Sequence, residues 1–400
     1  MRVALLAESF LPHMNGVTGS VLQITAHLER SGHEVLVVAP DAGTRSGSRV
    51  AAEPRGPGGA TATRLRSVAL PSYPQVRVVV AGRGRLTGIL GGFAPHVVHL
   101  ASPFVLGWHG VCVADALRLP AVAVYQTDVI AYAQRYGVVG GAAVAAAHTA
   151  RLHRRATLTL APGSAAVDRL EQLGVDRVRR WGRGVDGERF HPARRSAAWR
   201  ERTAPGEVIV GYAGRLAPEK QVEDLRALDG LPGVRVVVIG DGPARPTLER
   251  LLPRAVFTGH LEGTALAEAM ASLDVFVHPG ESETFGQTIQ EALASGVPAV
   301  ATGTGGPVDL VRSSVDGWLY RPGDLADLRS RVADLVGDAS KRAAFAVAAR
   351  DGVKDRTWAA LGDQLMAHYD DARALRVLDD ARDAGLRRSV LSRVRAAAMR

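Results

Sequence analysis

The sequence contains a single cysteine, Cys112, so no disulfide can form within the chain and a reducing compartment is expected. No apolar run reaches the ~18 residues that a membrane-spanning helix requires. The first residues are typical of a strand rather than of a cleaved leader. These scarcities exclude a disulfide-stapled secreted domain and a membrane-spanning protein, and they indicate a cytoplasmic location.

Metal-binding and dinucleotide-binding motifs are also missing. The sequence has no Asp-x-Asp and no pair of cysteines, so we expect neither a metal nor a cofactor. No Gly-x-Gly-x-x-Gly follows the first predicted strand, which excludes the usual dinucleotide fingerprint. Lysine is scarce: of the 49 lysines and arginines, three are lysines, namely Lys220, Lys341 and Lys354.

Positive charge is unevenly distributed. The formal net charge of the chain is +9, and residues 1–185, with 20 arginines and 10 acidic residues, carry +10. A basic half suits an anionic partner such as a phosphorylated acceptor, nucleic acid or an acidic lipid surface, although arginine-rich codon usage would give the same excess. Aromatic residues do not accompany the cations, so we expect no nucleic-acid partner.

The length of 400 residues, the 46% apolar content and a mean hydropathy of +0.03 are those of a soluble protein with two domains. Short apolar strands alternate with helices in both halves, which predicts an α/β fold with two doubly wound parallel sheets. We predict an N-terminal domain at residues 1–186, a second domain at 187–371 whose last helix packs back on the first, and a basic extension at 372–400.

The chain is organised around residues 278–293, where a turn is predicted between a strand at residues 274–278 and a helix at residues 288–295. Backbone N–H groups at Phe285, Gly286 and Gln287 would meet a phosphate at the helix start. Glu283 and Glu291 would accept hydrogen bonds from the neutral hydroxyls of a sugar and a ribose. The alternative is a capped helix start with a solvated glutamate.

Two cations follow the strand predicted at the start of the segment 208–220. Arg215 and Lys220 lie around a helix start, where a guanidinium can bind a diphosphate in bidentate fashion and an ammonium can act as a point charge. The alternative for Lys220 is a place on a solvated face.

The first half offers fewer candidates. Gly16 forms a turn before a helix, which either lets a phosphate approach or is a simple loop. Gln126 and Asp128 follow the strand predicted at residues 120–125, so they point into the cleft. Gln126 can hydrogen-bond a sugar hydroxyl but does not titrate, and Asp128 either binds hydroxyls or caps the next segment.

Together these motifs resemble the retaining glycosyltransferases of family 4. Glu283 and Glu291 match the Glu-x7-Glu motif of that family, and Arg215 and Lys220 match its Gly-Arg-Leu…Lys motif. The resemblance covers about residues 1–370. It implies the GT-B fold, in which two Rossmann-like domains face a central cleft.

The resemblance also implies a metal-independent hexosyltransferase that uses a nucleotide sugar and a hydroxyl acceptor. Many members have His where Gln126 stands, so no proton transfer is expected there. The residues given catalytic roles are Arg215, Lys220, Glu283, Asp128 and Gln126, and those given donor contacts are Gly16, Arg215, Lys220, Glu283, Phe285, Gly286, Gln287 and Glu291.

Within the family, segments such as 98–103 and 183–186 are most similar to actinobacterial GDP-mannose-dependent α-mannosyltransferases acting on glycolipids. The expected partners are therefore GDP-mannose and a glycolipid, at the cytoplasmic face of the plasma membrane. UDP- or ADP-sugar-dependent glucosyl- or N-acetylglucosaminyltransferases share the motifs and are the alternative. A 2-epimerase and a non-catalytic basic protein that binds membrane or nucleotide are the other classes.

Overall fold

The computed structural model describes residues 1–13, 15–41, 61–70, 73–135 and 140–398. Two parallel sheets dominate these ranges, and an antiparallel hairpin accompanies the first. Each sheet has helices along its faces, as the alternation of apolar strands and helices predicted.

The first sheet has seven parallel strands. The elements of this half are β1 (Arg2–Leu6), α1 (Gly16–Arg30), β2 (Glu34–Pro40), β3 (Thr61–Leu65), β4 (Ser67–Leu70), β5 (Tyr73–Val79), α2 (Arg83–Phe93), β6 (Val97–Leu100), α3 (Val105–Ala116), β7 (Ala121–Val124), α4 (Val129–Arg135), α5 (Gly141–Arg155), β8 (Leu158–Ala161), α6 (Ser164–Gln172) and β9 (Val178–Arg180). The strand order is β3-β2-β1-β6-β7-β8-β9.

The second sheet has six parallel strands in the order β12-β11-β10-β13-β14-β15. The elements of this half are α7 (Ala197–Thr203), β10 (Val208–Ala213), β11 (Val234–Ile239), α8 (Arg245–Leu251), β12 (Val256–Gly259), α9 (Gly263–Ala271), β13 (Val275–His278), α10 (Gln287–Ala294), β14 (Ala299–Thr302), α11 (Pro307–Leu310), β15 (Gly317–Tyr320), α12 (Leu325–Gly337), α13 (Ala339–Val353) and α14 (Trp358–Ala398), with 3₁₀ turns at Pro192–Arg194, Pro218–Lys220 and Val222–Leu228.

Strand β1 lies at the centre of the first sheet and is apolar from Val3 to Leu6, because both of its faces are covered. In β1, Val3 and Leu5 join one apolar cluster, whereas Ala4 and Leu6 join the cluster on the other face of the sheet. Successive side chains of a strand point to opposite faces, so a strand covered on both sides has no position that faces solvent.

The long helix α14 returns from the second half to the first. Leu361, Leu365 and Tyr369 are spaced four residues apart, and all three are buried in the core of the first half. The phenol oxygen of Tyr369 lies 2.9 Å from His99 Nδ1. Residues from the C-terminal part of the chain therefore complete the hydrophobic core of the first half.

The boundary predicted at residue 371 falls inside α14, which continues to Ala398. Beyond it, Asp379 is bonded to Arg177 at 2.6 Å and Asp380 to Arg118 at 2.7 Å. The start of the basic extension is thus bound to the first half through its few acidic residues. Within the described ranges, every helix is too short or too polar to traverse a bilayer.

The region between residues 41 and 80 differs from the expectation. The sequence predicts a single strand over residues 64–70, and this prediction is wrong, because Thr61–Leu65 pairs with β2 whereas Ser67–Leu70 turns away and pairs with Tyr73–Val79. The glycine, alanine, arginine and proline content of residues 41–63 predicts a surface loop. Residues 61–63 belong to β3 instead, and residues 42–60 lie outside the described part of the chain.

Candidate active site

Loops at the carboxyl ends of the two sheets meet in a cleft. Thr284, after β13, donates its hydroxyl to the carbonyl of Gln126, after β7, at 3.4 Å. Asp309, on α11, accepts from the backbone N–H and hydroxyl of Ser164, on α6, at 2.6 and 2.9 Å. The segments predicted to contact donor and acceptor are therefore brought together, as expected for ligands that bind at the carboxyl ends of parallel strands.

A charge pair lies on the second-domain side of this cleft. Lys220 Nζ donates to Glu283 Oε2 at 2.6 Å, and His278 Nε2 lies 3.4 Å from the same oxygen. The Glu283 side chain is 17% exposed. Burial alone would raise the pKa of Glu283, but Lys220 and His278 outweigh it and hold that pKa well below its usual range. Glu283 is thus an ionised hydrogen-bond acceptor whose orientation is fixed.

Glycines support the loop that carries Glu283. Gly306 N donates to the Glu283 carbonyl at 2.7 Å. Gly305 has a φ of +68°, and a Cβ there would lie 2.6 Å from the same carbonyl. On the other side, the Gln221 side chain accepts from Glu281 N at 2.8 Å. The turn bearing Lys220 and the loop bearing Glu283 are therefore fixed to each other.

Arg215 is held by a separate carboxylate. It follows Gly214, whose φ of +154° turns the chain at the end of β10. The guanidinium is bonded to Glu219, which is 3% exposed, while the Arg215 side chain is 41% exposed. Glu219 therefore anchors the buried end of Arg215, whose exposed part is accessible from solvent.

Helix α10 begins at the predicted anion site. Gly286 has a φ of +97°, and no side chain among the described residues caps the helix. The side chain of Phe285 is buried in the core, so only its backbone is available to a ligand. The Gln287 amide donates to the Gly184 carbonyl at 3.1 Å, which holds the helix start against the segment that joins the domains.

Glu291 lies one turn further along α10 and is partly buried. Burial raises the pKa of Glu291 to about 7, and a bond from Gln287 at 3.4 Å together with the charge of Arg183 limits the rise. Glu291 therefore changes charge near neutral pH, and its ionised form can accept two hydroxyl donors, as a ribose presents.

On the first-domain side, Gly16 is the first residue of α1. The preceding Asn15 caps this helix, because its Oδ1 accepts from the backbone N–H groups of Val17 and Thr18 at 3.0 Å each. Gly16 itself is exposed, which leaves its backbone open to a ligand.

The side chains of Gln126 and Asp128 form hydrogen bonds with nearby backbone groups. Gln126 Nε2 donates to the Ala101 carbonyl at 2.8 Å. Asp128 Oδ1 accepts from the N–H groups of Ile130 and Ala131 at 3.1 and 3.0 Å, so it caps α4. Asp128 therefore caps the next helix, which is one of its two predicted roles. Its other predicted role, in acceptor binding, stays a prediction.

Two further titratable residues of the cleft were missed by the sequence reasoning. His278 ends β13 and contacts Glu283. Glu8 follows β1, and its carboxylate accepts from the backbone N–H groups of Phe104, at 3.0 Å, and Leu106. Burial raises the pKa of Glu8 to about 7. Both lie at the carboxyl end of a strand, which is the signal that would have found them.

The charged and polar groups of the cleft suit a nucleoside diphosphate bound to a sugar. Two arginine or lysine cations and an uncapped helix start can face phosphates, and two carboxylates can face hydroxyls. Across the ranges that the structure describes, no three His, Cys, Asp or Glu side chains converge as metal ligands would.

Residues 14–189 match the family described as Glycosyltransferase Family 4, and residues 194–352 match the one described as Glycosyl transferases group 1. A GDP-mannose-dependent alpha-mannosyltransferase of Mycolicibacterium smegmatis is 47% identical over 378 residues, covering 92% of this chain and 97% of the relative. This chain belongs to glycosyltransferase family 4. The enzyme class predicted from the motifs is thereby confirmed.

The glycosyltransferase is also similar to a GDP-mannose-dependent alpha-(1-6)-phosphatidylinositol dimannoside mannosyltransferase of Mycobacterium tuberculosis, at 30% identity over 78% of this chain and 82% of that one. Its fold matches a solved sucrose-phosphate synthase from Thermosynechococcus elongatus with a TM-score of 0.77, at 18% identity, covering 93% of this chain and 99% of that one. The predicted fold of two Rossmann-like domains is confirmed.

Proposed function

We propose that this glycosyltransferase transfers mannose from GDP-mannose to a hydroxyl of a glycolipid and retains the α configuration. The observation that carries the proposal is the charge pair of Lys220 and Glu283 beside the start of α10, with Glu291 one turn on. This arrangement lies in a chain that is 47% identical to a GDP-mannose-dependent alpha-mannosyltransferase.

Each second-domain residue has a separate task in this proposal. Arg215 and Lys220 face the diphosphate together with the backbone N–H groups at the start of α10. Glu283, held ionised, accepts from the hydroxyls of the mannose, and Glu291 accepts from the ribose diol. The cationic side chains thus face the anionic diphosphate, and the carboxylates face neutral hydroxyls that donate hydrogen bonds.

In the reaction, the bond between the sugar C1 and the diphosphate oxygen breaks. A new bond forms between C1 and the acceptor oxygen on the same face of the sugar, and the acceptor proton passes to the departing diphosphate. The developing negative charge is stabilised by Arg215 and Lys220. A donor whose diphosphate is neutralised in this way needs neither a metal nor a cofactor for transfer.

The metal-free part of the proposal has a direct test. Excess chelator should leave the initial rate unchanged, because side chains supply the positive charge. Complete loss of activity that an added divalent cation restores would contradict it.

The acceptor site is assigned to an apolar groove in the first domain. It has a volume of about 570 Å³ and is lined mainly by Pro103, Phe104, Val129, Val144 and His148. Phe104 and Val144 are exposed large apolar side chains. The groove begins beside Asp128, which Val129 follows, so an acceptor with an apolar part in the groove would present its hydroxyls to the cleft.

The charge of the first half suits an acidic lipid surface. Residues 1–185 carry +10, and basic side chains are attracted to the anionic lipids of a cytoplasmic leaflet. Peripheral association with the cytoplasmic face of the membrane is accordingly part of the proposal. Flotation with anionic but not with neutral vesicles is the expected result, and equal recovery with both would contradict it.

The activity is tested with purified enzyme, GDP-mannose and detergent-dispersed actinobacterial lipids. A glycolipid that gains one hexose, with an α-anomeric signal in its NMR spectrum, is the expected product. Parallel reactions with UDP-glucose, UDP-N-acetylglucosamine and ADP-glucose test the alternative donors. Transfer from one of these but not from GDP-mannose would keep the family and replace the donor.

A further inference from the structure

The segment that joins the two domains contains a cation that none of the site motifs uses. Trp181, just before it, packs in the core of the first domain, and Val185, just after it, packs in the core of the second. Arg183 lies between them and is partly buried. Its backbone and its side chain are bound to different halves of the cleft.

The backbone of this segment is fixed to α10 in the second domain. Gln290 Nε2 donates to the Arg183 carbonyl at 2.8 Å, and Gln287 Nε2 donates to the Gly184 carbonyl at 3.1 Å. Gly184 leaves no room for movement, since a Cβ there would lie 2.6 Å from Trp358 Cα. Arg183 therefore starts from a defined point beside the donor helix.

The side chain crosses to the first domain. Arg183 Nη2 donates to the Gly16 carbonyl and to the Ser20 hydroxyl on α1. Arg183 Nη1 lies 3.3 Å from the position that a Cβ of Gly16 would occupy. A group that approaches the backbone of Gly16 from that side must meet the guanidinium.

The charge of Arg183 is not neutralised by a direct ion pair. In the described part of the chain, its Nε is buried without a hydrogen-bond partner, and no carboxylate bonds to the guanidinium. Burial lowers the pKa of Arg183, while Glu283 and Glu291 counteract this from the second domain. A partly buried cation without a paired anion is costly unless a ligand supplies the anion.

We propose that Arg183 is a donor-binding residue whose guanidinium contacts the diphosphate from the first-domain side, opposite Arg215 and Lys220. This inference rests on the proposed function, because it requires a nucleoside diphosphate in the cleft. It assigns to the first domain a positive charge that Gly16, with only a backbone to offer, lacks. The diphosphate then connects the two domains.

The test is calorimetric titration of GDP and GMP into full-length wild-type, R183Q and R183K proteins. Because charge-assisted bonds are stronger than neutral ones, R183Q should weaken GDP binding about tenfold or more. GMP, which lacks the second phosphate, should lose less. R183K keeps the charge but not the planar fork, so its GDP affinity should lie between the other two.

The matched control is R179Q, which removes the same charge from an exposed arginine four residues earlier whose side chain donates to the Val178 carbonyl. Wild-type GDP affinity in R183Q, or equal losses in R183Q and R179Q, would overturn the proposal. If R183Q does not fold, R183K decides, and a GDP affinity equal to that of the wild type would be the contradicting result.

Failure of this inference is distinguishable from failure of the proposed function. Wild-type protein that binds GDP, with R183Q unchanged, removes Arg183 and leaves the function standing. If the wild type binds UDP or ADP instead, the same comparison is made with that nucleotide. Wild-type protein that binds none of the three overturns both.

Discussion

The two sides of the cleft are built by different means. In the second domain, Lys220 is paired with Glu283 and Arg215 with Glu219, so ionised side chains hold one another in place. In the first domain, Gln126 and Asp128 direct their polar atoms to the backbone instead.

This difference suggests that the two domains have different tasks, one in turnover of the donor and the other in the choice of acceptor. Preorganised charges act where negative charge develops, so the second domain should govern turnover of the donor. The first domain offers backbone, capping residues and an apolar groove, so apart from the diphosphate contact proposed for Arg183 it should govern stability and the choice of acceptor. Substitutions can break this division in either direction.

The largest effect is expected from K220A. Loss of an electrostatic contact to the leaving group should lower kcat by about 10² to 10³. K220A should stay folded, although its melting temperature should fall because Glu283 loses its ion-pair partner. Initial rates with GDP-mannose and thermal unfolding measure the two effects.

The matched control is K354A, which removes a lysine from an ion pair of the same 2.6 Å length with Asp351 on the surface. It should keep the wild-type rate. A K220A enzyme as fast as K354A would remove Lys220 from the mechanism.

The next effect concerns the pH dependence of nucleotide binding. The pKa of Glu291 is raised to about 7, so its carboxyl is protonated below that pH and ionised above it. If the ionised form accepts from the ribose, GDP affinity should rise as pH increases from about 6 to about 8. Calorimetry across this range measures the slope.

E291Q isolates the contribution of Glu291, because the titrations of GDP itself and of Glu8 are present in both proteins. The variant should bind GDP more weakly above pH ~7, and its pH slope should be smaller. Identical slopes in the two proteins would count against a ribose contact.

A smaller effect is expected where the halves meet. D309A removes both the acceptor of the Ser164 N–H and hydroxyl and the ion-pair partner of Arg180, which should lower the melting temperature by roughly 2–4 °C. Because this contact also joins the two sides of the cleft, the KM for the donor should rise about threefold.

D338A is the control for D309A. It removes a helix cap within the second domain, where Asp338 accepts from Lys341 N at 2.8 Å. Its stability loss should be similar, and its KM should be that of the wild type. Equal KM values for both variants would show that the contact of Asp309 does not affect donor binding.

The smallest effect separates the two roles of Asp128. Serine can cap α4 but has no carboxylate, whereas alanine can neither cap the helix nor supply a carboxylate. The free energy of unfolding of D128A should therefore be about 1 kcal/mol lower than that of D128S. If capping is the only role, D128S should keep full transferase activity. Loss of activity in both variants, with D128S stable, would favour acceptor binding.

The sequence was informative where the spacing of motifs reports local geometry. The turn at Gly286 and the cations Arg215 and Lys220 were predicted, because a glycine and charges after a buried strand have few other interpretations. The sheet architecture followed from apolar strands alternating with helices.

Pairings between distant residues could not be predicted. Nothing in the sequence shows that Lys220 bonds to Glu283, 63 residues away, rather than facing a phosphate alone. The hairpin of Ser67–Leu70 with Tyr73–Val79 was missed because one residue, Arg66, separates it from β3. Long-range contacts depend on how elements pack, which a local pattern does not encode.

The most direct test is a calorimetric comparison of GDP, UDP and ADP with wild-type and K220A proteins. Selective binding of GDP by the wild type, strongly weakened in K220A, is the predicted result. Selective binding of UDP or ADP would contradict GDP-mannose as the donor. GDP binding that K220A leaves unchanged would contradict a donor site built on the charge pair of Lys220 and Glu283.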